Sequence, residues 1–184
     1  MLNYYPIIQK YFSPDSLGYQ SYVNHVVQVT ARALRIARRL RLSGDQLQFI
    51  EEAGMLHDIG VSQVHAPDIG CHGTAQYIQH GVLGRKILEE EGLAAHALVS
   101  ERHTGVGLTK EEIVDQKLPL PHRDFVPLSI EEKIICYADT WHSKNPEKIW
   151  IPYTIDQIHD WFRRFPSSQR KIQQFDEWYQ EFGE

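Results

Sequence analysis

The stretch Ser43-Gly44-Asp45-Gln46-Leu47-Gln48-Phe49-Ile50-Glu51-Glu52-Ala53-Gly54-Met55-Leu56-His57-Asp58-Ile59-Gly60 decides how this chain is read. Ser43 and Gln46 stand three apart, as in a capping box that opens a helix. Leu47, Ile50 and Gly54 then mark one face of it. The face runs into His57 and Asp58, and Gly60 is the expected stop. A histidine and a carboxylate thus arrive where the apolar face should continue. A buried carboxylate is expensive unless it is paired or bound to a metal.

Outward from this stretch the chain reads helical. Ser13-Pro14-Asp15 is a start signal. Across residues 19–42 the apolar positions Val26, Val29, Ala33, Ile36, Ala37 and Leu40 recur at three- and four-residue steps. Residues 61–79 carry glycine, proline and histidine without a period, and read as a long loop of the kind that is functional or mobile. Residues 80–91 and 94–102 return to helix. Thr109 to Glu112 forms a second capping box, with Leu108 and Ile113 at staple positions, and Ser129 to Glu132 a third, opening a helix to about His142. Pro119, Pro121 and Pro127 make the stretch between them extended. No strand pattern is convincing, so the predicted class is all-α. From Asn145 onward aromatic residues accumulate, and two further short helices fit. Their rings must be buried against the domain or against a second subunit, so a homodimer stays open. The expected division is a domain over 1–144, with its core at about 20–143, and a helical extension over 145–184 packed on that domain.

Composition narrows the chemistry. The 184 residues include ten histidines and two cysteines, which excludes a disulfide scaffold and any four-cysteine metal site. Nineteen basic against 24 acidic residues give a net charge of −5, which disfavours nonspecific nucleic-acid binding. The arginines at 32, 35, 38, 39 and 41 read as a solvated helix face, as do Arg85 and Lys86. No apolar run approaches the roughly 18 residues of a membrane span. No signal peptide is evident, and the expectation is a cytoplasmic protein with reduced thiols.

Further ligand-type residues recur at helical positions: His25 on the first long helix, His80 opening another, His103 closing a third, and Asp139 bordering the buried stripe of the helix from Ser129. In this order, His25, His57-Asp58-Ile59-Gly60 and Asp139 resemble the H…HD…D signature of the HD-domain metal-dependent phosphohydrolases. His80 to Leu88 is similar to the HxxxGxxIL segment of HDIG members. Glu101-Arg102-His103-Thr104-Gly105 resembles the next histidine block of two-metal members. The stretch from His103 to Ile135 looks like that of a small HDIG subfamily. The resemblance spans roughly residues 20–143.

This resemblance implies an HD-domain helical bundle with a site of defined roles. His25, His57, Asp58 and Asp139 would hold one divalent ion, and His80 and His103 a second, with Asp58 bridging. Such a nitrogen and oxygen site suits Fe, Mn, Co, Ni, Zn or Mg. His57 and Asp58 would be the catalytic centre of a phosphohydrolase acting on a small, nucleotide-like phosphate mono- or diester through metal-activated water. Phosphate also calls for a cationic partner, and Arg102 and Arg123 are the candidates. His65 and His72 lie in the loop and read as surface residues, while His96, His122, His142 and His159 read as ordinary. Two departures argue against the HD-GYP branch. Its lysine after HDIG is Val61 here, and Gly105-Val106-Gly107 stands near where its GYP element would be. Two alternatives carry the same ligand order: an HD-type di-iron oxygenase, and a catalytically silent binding module.

Overall fold

A computed structural model describes residues 2–183. Nine α-helices appear among the described residues: α1 (Tyr5–Tyr11), α2 (Leu17–Arg39), α3 (Gly44–Leu56), α4 (His80–Glu90), α5 (Ala94–Arg102), α6 (Lys110–Asp115), α7 (Ile130–Asp139), α8 (Ile155–Phe162) and α9 (Ser168–Phe182). The all-α expectation holds, apart from a minute antiparallel ladder of β1 (His65–Ala66) and β2 (Cys71–His72). Helix α1 escaped the sequence reading, and α2 is capped by Ser16, whose Oγ accepts the Tyr19 N–H, rather than from Ser13.

The reciprocal capping boxes at Ser43 and Thr109 form as read. At Ser129 only half forms: its Oγ accepts the Glu132 N–H, but the Glu132 carboxylate turns to the Leu128 N–H and to Arg102. A guanidinium and the Leu128 N–H together outcompete the single N-cap N–H for that carboxylate. The helix from Ser129 ends at Asp139, three residues short of expectation.

Helix α2 packs on α3 and α7, and α4 on α5. Beside a small cluster of Ile113, Leu120 and Phe125, two large apolar clusters result. One gathers the later half of α2, the start of α3, α7 and the tail; the other gathers α1, the start of α2, the end of α3 and α4. Their boundary falls between Val26 and Val29 on α2 and between Ala53 and Met55 on α3. His25 and His57 sit beside that boundary, so the polar cluster described below is walled on both sides by core.

Gly60 does not stop α3, which ends at Leu56. A 3₁₀ turn, Ile59–Gln63, carries the chain through it. A Cβ at Gly60 would lie 2.0 Å from the His80 carbonyl oxygen and 2.4 Å from the Gly84 nitrogen, so only glycine lets this turn press against α4. Residues 61–79 are not a plain loop: the ladder and three 3₁₀ turns tie them down. The tail docks on its own chain. Ile158, Phe162, Phe175, Trp178 and Phe182 enter the same cluster as Tyr137 and Trp141. Lys171 and Arg170 of α9 hold the buried Glu112 of α6. No helix is long and apolar enough to cross a membrane.

Candidate metal centre

Three histidines sit where a helical turn ends. His57 follows α3, His103 follows α5, and His80 closes the 3₁₀ turn Tyr77–Gln79 as α4 begins. Behind His57 and His103 the carbonyl three residues back belongs to the last turn of a helix, where carbonyls lack helical partners. Behind His80 the Tyr77 carbonyl accepts the His80 N–H and has room for a second donor. Each ring uses that carbonyl: Nδ1–H donates to Gly54 O from His57, to Tyr77 O from His80 and to Ser100 O from His103, all at 2.7 Å. A carbonyl only accepts, so each Nδ1 carries a proton, and a ring without a second proton turns an Nε2 lone pair inward.

Those lone pairs converge on Asp58 and Asp139. His80 and His103 Nε2 are 3.0 Å apart and lie 3.6 and 3.3 Å from Asp58 Oδ1. His25 Nε2 lies 2.9 Å from Asp139 Oδ1 and 3.4 Å from Asp58 Oδ2. His57 Nε2 lies 3.6 and 3.8 Å from the same two oxygens. Atoms bound at about 2.1 Å to one ion stand roughly 3.0–3.4 Å apart in octahedral or tetrahedral geometry. Both groups approach that spacing, and Asp58 presents one oxygen to each. The donor atoms include His57 Nε2, His25 Nε2, Asp58 Oδ1 and Asp139 Oδ1, which are buried without hydrogen-bond partners. Orphaned buried acceptors of this kind fit a divalent cation.

All six residues that the sequence nominated as ligands therefore come together. The arginines do not join them. Arg102 makes a two-oxygen ion pair with Glu132, and Arg123 pairs with Glu101 and lies over Phe125. Substrate binding by either would require breaking these pairs. Arg85, read as solvated, bridges Glu89 and the buried Glu101. Arg32, read as part of a solvated face, lies buried over Trp141 and against His142.

Lys144 is the residue that sequence reasoning missed. Its Nζ lies 2.8 Å from Asp58 Oδ2 and 3.8 Å from Asp139 Oδ1. It follows α7 in an irregular segment with no motif of its own. The only available signal was its place five residues after Asp139. Lys144 and Val61 line one narrow crevice beside Asp58, too tight to admit a water molecule. The crevice thus gains its cation from a different part of the chain.

Burial opposes ionisation of Asp58 and Asp139, but Lys144 and the histidines bring both carboxyls well below their usual range. Burial lowers His25, and it pushes His80 down to about 4, with His103 and Lys144 adding to the fall. Both rings are neutral at pH 7, as ligands must be. His57 is raised: Asp139 and Asp58 outweigh the burial that pulls it down.

A stability prediction follows for the protein stripped of divalent ions. An unfolded histidine takes its proton near pH 6.5, whereas His80 resists until about 4. Between these values the unfolded state binds more protons, so stability falls as pH drops through that window, by about 3 kcal/mol from His80 alone. His25 acts in the same direction. His57 acts oppositely, its contribution fading as pH rises above 6.5. Urea melts at half-unit pH steps read the slope, and His80→Asn should flatten it. An unchanged slope in that variant would contradict the assignment.

The HD domain family profile matches residues 22–143. The chain belongs to the HD domain family. The uncharacterized protein MJ0778 of Methanocaldococcus jannaschii is 37% identical over 123 residues, covering 65% of each chain. Two proteins named tRNA (cytidine(56)-2'-O)-methyltransferase are similar over part of their length. The one from Thermoplasma volcanium is 34% identical, covering 72% of this chain and 33% of its own. The one from Picrophilus torridus is 33% identical, covering 75% and 37%. The chain thus spans about two thirds of the first relative and about a third of the other two. Among solved structures, the HD domain of the L. monocytogenes phosphodiesterase PgpH, in complex with cyclic-di-AMP, shares the fold. Its TM-score is 0.55 at 12% identity, covering 96% of this chain and 95% of that one.

Proposed function

We propose that the protein is a metal-dependent phosphohydrolase that cleaves a nucleotide-like phosphate mono- or diester. The observation that carries this reading is the convergence of inward-facing histidine Nε2 atoms on Asp58 and Asp139, with Asp58 shared between two groups. His25, His57, Asp58 and Asp139 would hold one ion, and Asp58, His80 and His103 a second. When bound, divalent ions bring the pKa of water toward neutrality and offset charge on phosphate.

The protein's own residues supply order and dryness. The Gly54, Tyr77 and Ser100 carbonyls fix three imidazole rings before any ligand arrives, so little reorganisation remains for the reaction. Asp58 spans both groups, so its charge couples them. Three donors on the His80 side leave room on that face for a substrate oxygen. Val61, Ile69 and Cys71 of the segment over the site exclude water next to Asp58 and strengthen every charge interaction there.

A nucleotide-like substrate is supported by the cyclic dinucleotide in the PgpH neighbour and by the two relatives named as tRNA methyltransferases. With Cys71 and Cys136 both free and buried, a reducing compartment such as the cytoplasm suits the chain.

The test is a panel of nucleoside monophosphates, cyclic nucleotides and dinucleotides, assayed with Mn, Fe, Co or Ni. Turnover lost in His57→Ala is expected. Absence of turnover with every ion, or dioxygen consumption by the iron-loaded protein, would overturn the reading.

A further inference from the structure

Lys144 carries a positive charge whose two carboxylate partners are both candidate metal ligands. Its side chain is only 16% exposed. Asp58 and Asp139 with Lys144 sum to a net charge of −1. One divalent ion makes the pocket +1, and a second makes it +3. Carboxylates that bind ions no longer serve an ammonium, and a buried ammonium left without an anion is costly. The metal-loaded site therefore needs an incoming anion beside Lys144.

We propose that Lys144 is the phosphate-binding residue of this site, its ammonium passing from Asp58 to a phosphoryl oxygen of the substrate. The proposal rests on the phosphohydrolase reading above. Three further observations support it. Lys144 Nζ lies against Asp58 Oδ2, and its side chain is more exposed than that of Asp58. Ser21 lies beside Lys144 and Asp58 around the narrow crevice, and its buried hydroxyl has no hydrogen-bond partner. Arg102 and Arg123, the other cations considered, are held by Glu132 and Glu101. Lysine suits the task, because a point charge on a flexible four-carbon stem can move between two neighbouring oxygens.

The experiment is calorimetric titration of inorganic phosphate into Mn-loaded protein, with metal content measured on the same samples. Lys144→Met is expected to keep its metal and to bind phosphate about 10- to 100-fold more weakly, the usual effect of removing a charged hydrogen-bond donor. Lys144→Arg should recover part of the affinity. If Lys144→Met fails to fold, Lys144→Gln makes the same test. Equal affinity in wild type and variant would overturn the lysine assignment and leave the hydrolase reading intact. Loss of metal from the variant would also overturn it, because the lysine would then serve only the carboxylates. No phosphate binding by the metal-loaded wild type would overturn the proposal together with the reading it rests on.

Discussion

Asp58→Asn is expected to remove turnover by about a thousandfold or more and to empty the His80 side of the centre of metal. The loss corresponds to several kcal/mol of charge stabilisation. Asparagine keeps the shape of aspartate but offers one oxygen and one NH₂ group. Turned toward Lys144, the NH₂ would set donor against donor at the present 2.8 Å contact. It will therefore turn toward His80 and His103, whose Nε2 atoms lie 3.6 and 3.3 Å from Asp58 Oδ1. There it satisfies the lone pairs that would otherwise bind the ion. The His25 and His57 side keeps an oxygen but loses its charge. His103→Ala removes one donor from one group and leaves Asp58 in place, so its effect should be smaller. Metal analysis beside turnover in the two variants tests this ordering. A greater loss in His103→Ala would refute the spanning role of Asp58.

Phe175→Ala should destabilise the protein by about 3–5 kcal/mol, a large share of the roughly 5–15 kcal/mol that holds a domain together. The Phe175 ring is fully buried and contacts Tyr137, Trp141 and Phe162, with centroids 5.5, 5.8 and 6.1 Å away. Truncation leaves a cavity that these rigid rings cannot collapse to fill. Tyr137 lies two residues before Asp139 on α7, so the same cavity loosens the helix that supplies a carboxylate to the centre. Phe165→Ala, at a ring 39% exposed, should change stability by less than about 1 kcal/mol. Urea unfolding with an unchanged m value measures both. Equal effects would show that the tail does not share the core.

Much of the fold was legible because helical burial is periodic. Val26, Val29, Ala33, Ile36 and Ala37 announce the inner face of α2, and all five are buried. The boxes at Ser43 and Thr109 are local bargains between neighbouring residues, and they form. Where long-range partners compete, local reading failed. Glu132 left its box for Arg102, and Arg32 left the solvated face for Trp141. Gly60 carries the signal of a helix stop, yet its task is to let a turn touch α4, which no local pattern encodes.

The candidate ligand set was legible through order rather than period: His25, His57, Asp58, His80, His103 and Asp139 follow one another as in the HD-domain signature, and all six are buried or nearly so. The cation beside them was not legible. Arg102 and Arg123 were nearer in sequence to a candidate ligand or a motif, whereas Lys144 stands in an irregular segment. By itself the sequence determined which helix faces are buried, because that follows from a 3.6-residue period that each helix carries alone, and it nominated six candidate ligands through their order and its resemblance to the HD-domain signature. The tertiary structure decided which charges meet: Lys144 with Asp58, Arg102 with Glu132, Lys171 with Glu112. A charged side chain on a long stem pairs with whatever carboxylate the packed chain brings within about 4 Å, and that distance exists only once the helices have crossed.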